Sequence, residues 1–281
     1  MAKKTYIGVN GVARKIKKTY IGVDNVARKI KKAYIGIGGV ARPCWSGAGL
    51  DYYGTITELS GARSELAATA IGNYALFGGG YYNATAKSTV DAYDTSLTRS
   101  TPTALSTSRY DLAATTIGKY ALFGGGNNGS TAATTVDVYD ASLTHSTPTA
   151  LSVGRYSLAA TAIGNYALFG GGNTTYSSKY TNVVDAYDTS LTRSTPTTLK
   201  TSRSELAATT IGKYALFGGG KKTISTVDAY DTSLTHSTPT ALSVGRYILA
   251  ATSIGNYALF GGGSNGSGAI AVVDAYVYIP E

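Results

Sequence analysis

Two histidines, one cysteine and a recurring aspartate are the residues with which this chain could do chemistry. A metal centre or a nucleophile–base pair needs its ligands to converge. His145 and His236 instead hold the same place in two copies of one phrase, LTHSTPTAL, which puts them on separate units. Cys44 is alone, so neither an internal disulfide nor a cysteine-rich metal cluster can form. Asp91, Asp137, Asp185, Asp228 and Asp274 recur once per unit. Repetition places equivalent residues in rings whatever their use, so they read as structural hydrogen-bond partners, with a cation held in a carboxylate ring as the lesser alternative. The GGG triplets end a strand phrase and no helix follows, so they are not phosphate loops. The chain reads as non-enzymatic, with no catalytic residue, cofactor or metal.

The elements that carry these residues are repeats. YALFGGG occurs five times, its first glycine at Gly78, Gly124, Gly170, Gly218 and Gly261, in steps of 46, 46, 48 and 43 residues. A period in the forties is a signature of propeller blades. Each unit opens on an arginine (Arg63, Arg109, Arg155, Arg203, Arg246) and continues into a small apolar strand such as LAATAI at 66–71. A Gly-Asn or Gly-Lys turn leads to YALF, then GGG, a polar loop, and a Val-Asp-Ala/Val-Tyr strand. Four units add Asp-Thr/Ala-Ser-Leu-Thr, which reads as a turn into a fourth strand. Four short antiparallel strands make one blade. With 43% hydrophobic and 15% charged residues, 35 Gly and 23 Tyr, the composition is that of a folded all-β chain rather than a disordered one.

This order of apolar strand, Gly-Gly, polar loop, Tyr-Asp and Arg resembles the kelch repeat over about 230 residues. The resemblance implies a five-bladed β-propeller over 54–281. It departs from the family where a tryptophan is usual: this chain has Thr98-Arg99-Ser100 there, and its one tryptophan is Trp45. The wedge between blades then falls to Leu97 and Leu105. Some kelch propellers are copper oxidases, but that site needs Cys with Tyr and His, and Cys44 lies outside the repeats. The last unit lacks a fourth strand and 54–60 is one spare strand, so 54–60 is expected to pair with 270–279 and close the ring, which removes an exposed edge.

In such a blade the first and third turns share one face, and they hardly vary here. The loops of the other face do: YYNATAKST, NNGSTAATT, NTTYSSKYTN, KKTIST and SNGSGAIA. The residues after each repeated Arg vary with them. Tyrosine offers rigid amphipathic area and Asn and Ser adaptable hydrogen bonds, and loops on a rigid scaffold are where binding usually sits. The candidate contacts are Tyr81, Tyr82, Asn83, Tyr110, Asn127, Asn128, Tyr156, Tyr176, Tyr180, Lys221 and Lys222. The bland alternative is drift in unconstrained loops. The four Asn-X-Ser/Thr sequons on this face are a by-product of its composition.

Charge separates a second module. Residues 1–43 hold eleven Lys or Arg against Asp24, while the other 238 hold 14 basic and 15 acidic groups. KKTYIGVNGVARKI returns with a period of 14 at 17 and 31, aligning Tyr6, Tyr20 and Tyr34, and Arg14, Arg28 and Arg42. Asn10-Gly11, Asp24-Asn25 and Gly38-Gly39 are two-residue turn signals, so 1–43 reads as small β-hairpins, and 44–53 as a linker. So thin a module needs a partner. The six aligned residues are its docking or oligomerisation candidates, with nucleic acid as the alternative because the head is basic. These tandem units resemble N-terminal segments of phage tail-associated and prophage structural proteins of Gram-positive bacteria. The resemblance implies a virion protein of the tail or an appendage, made in the bacterial cytoplasm. No signal peptide and no run of about 20 apolar residues is visible. The expected function is recognition of a host-surface glycan or protein by the loops, with the head bound to virion proteins or to other copies of the chain. An intracellular protein-binding scaffold and, more weakly, a glycan-active enzyme are the alternatives.

Overall fold

Both faces of the YALF and Val-Asp-Ala-Tyr phrases carry apolar side chains, so these strands must be covered on both sides. The computed structural model describes residues 54–174 and 179–280, and before them the backbone of six strands between Tyr6 and Ser46. Among the described residues there is no helix. The chain divides into two compact units, Met1–Glu58 and Leu59–Glu281.

In the first unit the turn signals hold. Tyr6–Val9 pairs with Val12–Lys15, Tyr20–Val23 with Val26–Lys29, and Lys32–Ile37 with Val40–Ser46, each as a separate antiparallel hairpin. Tyr6, Arg14, Tyr20, Arg28, Tyr34 and Arg42 all lie on these strands. The third hairpin runs past Pro43 to Ser46, so the linker read over 44–53 starts later than its sequence indicates. A register shift beside Ala33 and Tyr34 lets the strand pass its proline, as bulges do.

The second unit is a row of antiparallel sheets. The first sheet comprises Ala67–Ile71, Tyr74–Gly78, Val90–Tyr93 and Arg99–Ser100. The second comprises Ala113–Ile117, Tyr120–Gly124, Val136–Asp140 and His145–Ser146. The third comprises Ala159–Ile163, Tyr166–Gly170, Val184–Asp188 and Arg193–Ser194. The fourth comprises Ala207–Ile211, Tyr214–Gly218, Val227–Asp231 and His236–Ser237. The fifth has three strands, Ala250–Ile254, Tyr257–Gly261 and Val273–Val277. The leading strands of successive sheets lie side by side.

The core sits between sheets and repeats with them. Ala67, Ile71, Leu76, Val90 and Ala92 of the first sheet pack against Ala121, Phe123 and Tyr139 of the second. The same set recurs three times, with Phe169, Phe217 and Phe260 in turn fully buried. Burying one such ring contributes about 1.5–3 kcal/mol. In the first four sheets the first glycine of the triplet makes room for that ring: a Cβ on Gly78 would stand 2.8 Å from Phe123, and one on Gly124 2.6 Å from Phe169. Leu105, Leu151, Leu199 and Leu242 fill the gaps between sheets. Leu97 does not act as a wedge. Its counterparts Leu143, Leu191 and Leu234 pack into the interface with the preceding sheet, but within this unit no sheet precedes the first, and Leu97 is exposed.

The recurring aspartates are structural, and their partner is the recurring arginine. Arg155 Nη2 donates to Asp185 at 2.5 Å and to the Phe169 carbonyl at 3.0 Å. Arg63–Asp91 and Arg246–Asp274 are 2.7 Å apart, Arg203–Asp228 2.5 Å, and Arg109 pairs with Asp137 in the same way. The backbone of Arg109 meanwhile bonds the first sheet, its N–H to the Lys87 carbonyl at 3.0 Å and its C=O to Gly80 N–H at 2.9 Å. Arg109, Arg155, Arg203 and Arg246 therefore each staple one sheet to the next.

The closure expected between 54–60 and 270–279 is not formed. Residues 54–60 carry no strand, and the fifth sheet stops at three. Ser60 instead bonds Asp91 of the first sheet through its N–H and Oγ, both at 3.1 Å. This is the bond that Ser106 makes to Asp137 at 2.8 Å, so the segment is used as the lead-in to the first sheet. At the other end Val277-Tyr278-Ile279 replaces the Asp-Thr-Ser-Leu turn, and Tyr278 lies against Gly212 of the fourth sheet.

Candidate functional site

The antiparallel order puts the constant turns at one end of every sheet: Gly72 of the first meets Ala141 in the third turn of the second. The variable loops are at the other end. There the residue after the repeated Arg bridges to the residue after GGG, in the pairs Ser64–Tyr81, Tyr110–Asn127, Tyr156–Asn173 and Tyr247–Ser264.

These bridges bring most of the candidate residues together in groups. Tyr81 lies on Tyr110, ring centroids 4.6 Å apart. Tyr82, 47% exposed, stands on a two-residue hairpin whose turn is Asn83-Ala84, with φ of +48° and +56°, the left-handed pair that such turns need. The Asn173 amide donates to Tyr156 Oη at 3.0 Å, and Asn173 also bridges Tyr180. Lys222 Nζ stands 5.4 Å from the Tyr180 ring centre. Lys221 Nζ stands 4.4 Å from that of Tyr247 and 3.3 Å from a Glu205 oxygen. These are aromatic and cation–π contacts of the kind recognition surfaces use.

Two candidates serve the loops themselves. Asn127 is buried, and its Oδ1 accepts the Gly129 N–H at 2.8 Å, so it offers no outward contact. Asn128 Oδ1 accepts from Ser130 at 2.9 Å and Thr131 at 2.7 Å, which forms the turn that presents this loop. Tyr176 lies outside the described residues.

A cleft of about 550 Å³ adjoins these groups, and all five repeats line it. Its wall is Glu65, Asp111, Ser157, Glu205 and Ile248, and Leu112, Leu158, Leu206 and Leu249 back it. The wall positions have φ between 50° and 55°, a left-handed backbone held even by the β-branched Ile248. They are linked N–H to C=O in series: Asp111 to Glu65, Ser157 to Asp111, Glu205 to Ser157, and Ile248 to Glu205, at 2.9–3.0 Å. Burial, then the nearby Glu65 charge, push the Asp111 carboxyl above the usual range, and Glu205 adds to this; the Ser157 hydroxyl, 3.3 Å away, opposes them. None of the five was among the candidate contacts. Their variation within an otherwise constant phrase was the available signal; that they meet in one cleft depends on the curvature of the row.

A second groove, about 460 Å³, lies between the fourth and fifth sheets, lined by Tyr214, Pro239 and Tyr278 among others, where the last unit lacks its turn. The histidines are apart, as their spacing requires. His145 Nε2 is 2.7 Å from Asp137 and His236 Nε2 2.6 Å from Asp228, the place held by Arg193 beside Asp185 at 2.8 Å. Among the described residues no cluster of three or more metal-ligating side chains occurs. No protein-family model matches this chain, and no curated protein matches it.

Proposed function

We propose that this chain is a non-enzymatic recognition protein of a phage tail or appendage. Its row of five kelch-like, blade-like sheets holds variable loops against a host-surface ligand, and its basic hairpins dock it to the virion. The observation that supports this reading is the sorting of sequence variation. Arg–Asp staples and Phe-on-Gly contacts repeat almost without change, while the varying residues collect at one end of the sheets around a cleft. A rigid scaffold with adaptable loops is the usual build of a binding protein. Tyrosine faces beside the Glu65, Asp111 and Glu205 carboxylates suit a hydroxyl-rich ligand such as a cell-wall glycan, which stacks on rings and donates to carboxylates.

The test is attachment of the purified full chain to intact Gram-positive cells and to their isolated wall glycans, in low and high salt. Salt-resistant attachment lost on joint replacement of Tyr81, Tyr82, Tyr110 and Tyr180 by Ala supports the reading. Attachment that high salt abolishes and that the four replacements leave intact assigns contact to the basic head and overturns it.

A further inference from the structure

The row of sheets has two unlike ends, and each lacks what the other carries. On the fifth sheet the face that should receive a following sheet is bare: Ile254 is 68% and Val273 60% exposed, against 5% and 0% for Ile211 and Val227 of the fourth. The glycines that would meet a following sheet, Gly255 and Gly261, are equally vacant. Gly255 has nothing within 4 Å, whereas Gly118 and Gly164 meet Thr189 and Thr232 of the next sheet. A Cβ on Gly261 would touch only its own sheet's Val273, at 3.5 Å, where Gly218 meets Phe260 at 2.6 Å.

The first sheet shows the converse. Ala75 is exposed although Ala121, Ala167, Ala215 and Ala258 are fully buried, and Phe77 is the one ring of its series with no glycine of a preceding sheet to cover it. The bonds between sheets stop at the same places. Gly80, Gly126, Gly172 and Gly220 each donate to the next unit's arginine carbonyl, at 2.8–2.9 Å. Among the described residues no such bond joins Gly263 to Arg63, nor Glu65 to Ile248.

We infer that the occupant of the fifth sheet's bare face is the first sheet of a second copy of this chain. The interface is specified within the chain: phenylalanine on glycine and Gly N–H to Arg carbonyl recur four times, and threonine or alanine on the turn glycine three times. A second copy presents Phe77, Thr95 and the Arg63 carbonyl in the places where Phe260, Thr232 and the Arg246 carbonyl serve inside one copy. Contiguous exposed apolar area of this kind marks an association surface. The contact is head to tail, so copies form a ring if the rotation closes and a filament if it does not. Neither end is used by the loop face, so this inference does not rest on the recognition reading.

The experiment uses the full chain with Ala75→Arg, which spoils the first face, and Ile254→Arg, which spoils the last. Both side chains are exposed, so thermal melts at low concentration should match wild type. Sedimentation velocity should show wild type growing with concentration beyond either variant, and an equimolar mixture of the two variants forming one additional 1:1 pair through their intact faces. The basic head is common to all samples, so its own association cancels. Wild type, variants and mixture sedimenting alike would overturn the inference, since the faces would then be covered within one chain or by another protein. A mixture that behaves as the sum of its variants would overturn it too.

Discussion

Glycine-to-alanine substitution should have opposite consequences at two equivalent positions of the same repeat. At Gly124 the new Cβ would stand 2.6, 2.9 and 3.0 Å from three ring atoms of Phe169. Carbon atoms pack at about 3.5–4.0 Å, so the ring must retreat by about an ångström. It cannot do so cheaply, because Phe169 is fully buried among Val136, Val138 and Leu151. Overpacking of this kind costs about 1–3 kcal/mol. The smaller freedom of alanine in the unfolded chain offsets about 0.4–1 kcal/mol. The net loss is about 1–2 kcal/mol, or a drop of about 2–8 °C in Tm for a unit of this size. At Gly261 the nearest atom is Val273 Cγ2 at 3.5 Å, an ordinary contact, so only the offset remains and Tm should hold or rise slightly. Thermal and urea melts in dilute protein measure both. Equal losses at Gly124 and Gly261, or no loss at Gly124, would refute the reasoning that the glycines exist for the neighbouring ring.

Other outcomes follow from the staples and the cleft. Asp137→Asn leaves Arg109 buried without its counter-charge and should cost about 3–5 kcal/mol in urea melts at neutral pH. Burial alone would raise Asp137, but Arg109 and the bonds from Ser106 and His145 outweigh it and hold the carboxyl below the usual range. Its stabilisation is therefore present above about pH 4 and lost as pH falls through the lowered value, so the cost of Asp137→Asn should shrink in acid melts. Asp111 has the opposite sign: its carboxyl is raised, so the charged form burdens the fold as pH rises through that value. Asp111→Asn should raise Tm at pH 7 and leave it unchanged at pH 3. Ile248→Gly should stabilise by about 1 kcal/mol, because a left-handed isoleucine is replaced by a residue that adopts that backbone freely and the lost side chain is 68% exposed.

The repeat, its strands and its turns were legible in the sequence because they are local. Alternation in YALF, Gly-Asn and Gly-Lys turns and the phase of the Val-Asp-Ala-Tyr phrase fix pairings between neighbouring strands without reference to anything distant. The structural part of the recurring aspartates was legible for the same reason. Their arginine partners were not, since Arg109 and Asp137 are 28 positions apart and meet only after a sheet has formed between them. Leu105 and Leu97 looked alike as wedges, yet one is buried and the other exposed, because their use depends on whether a sheet stands on the relevant side.

The same limit applies to the candidate site and the ends of the row. Variation picked out the loop face, but Asn127 turned inward to hold its own loop, and the cleft wall from Glu65 to Ile248 was assembled by five distant units. The spare segment before the first unit and the missing strand after the last were read as complements. Sequence counts strands but carries no information on where a segment's N–H groups will find acceptors. In the structure Asp91 takes those of Ser60, so the fifth sheet keeps three strands and a bare apolar face. What the residues determine alone is the unit and its neighbour contact. Where the spare segment docks, and that the last face stays bare, is decided by contacts between residues distant in the chain, which only the tertiary structure contains.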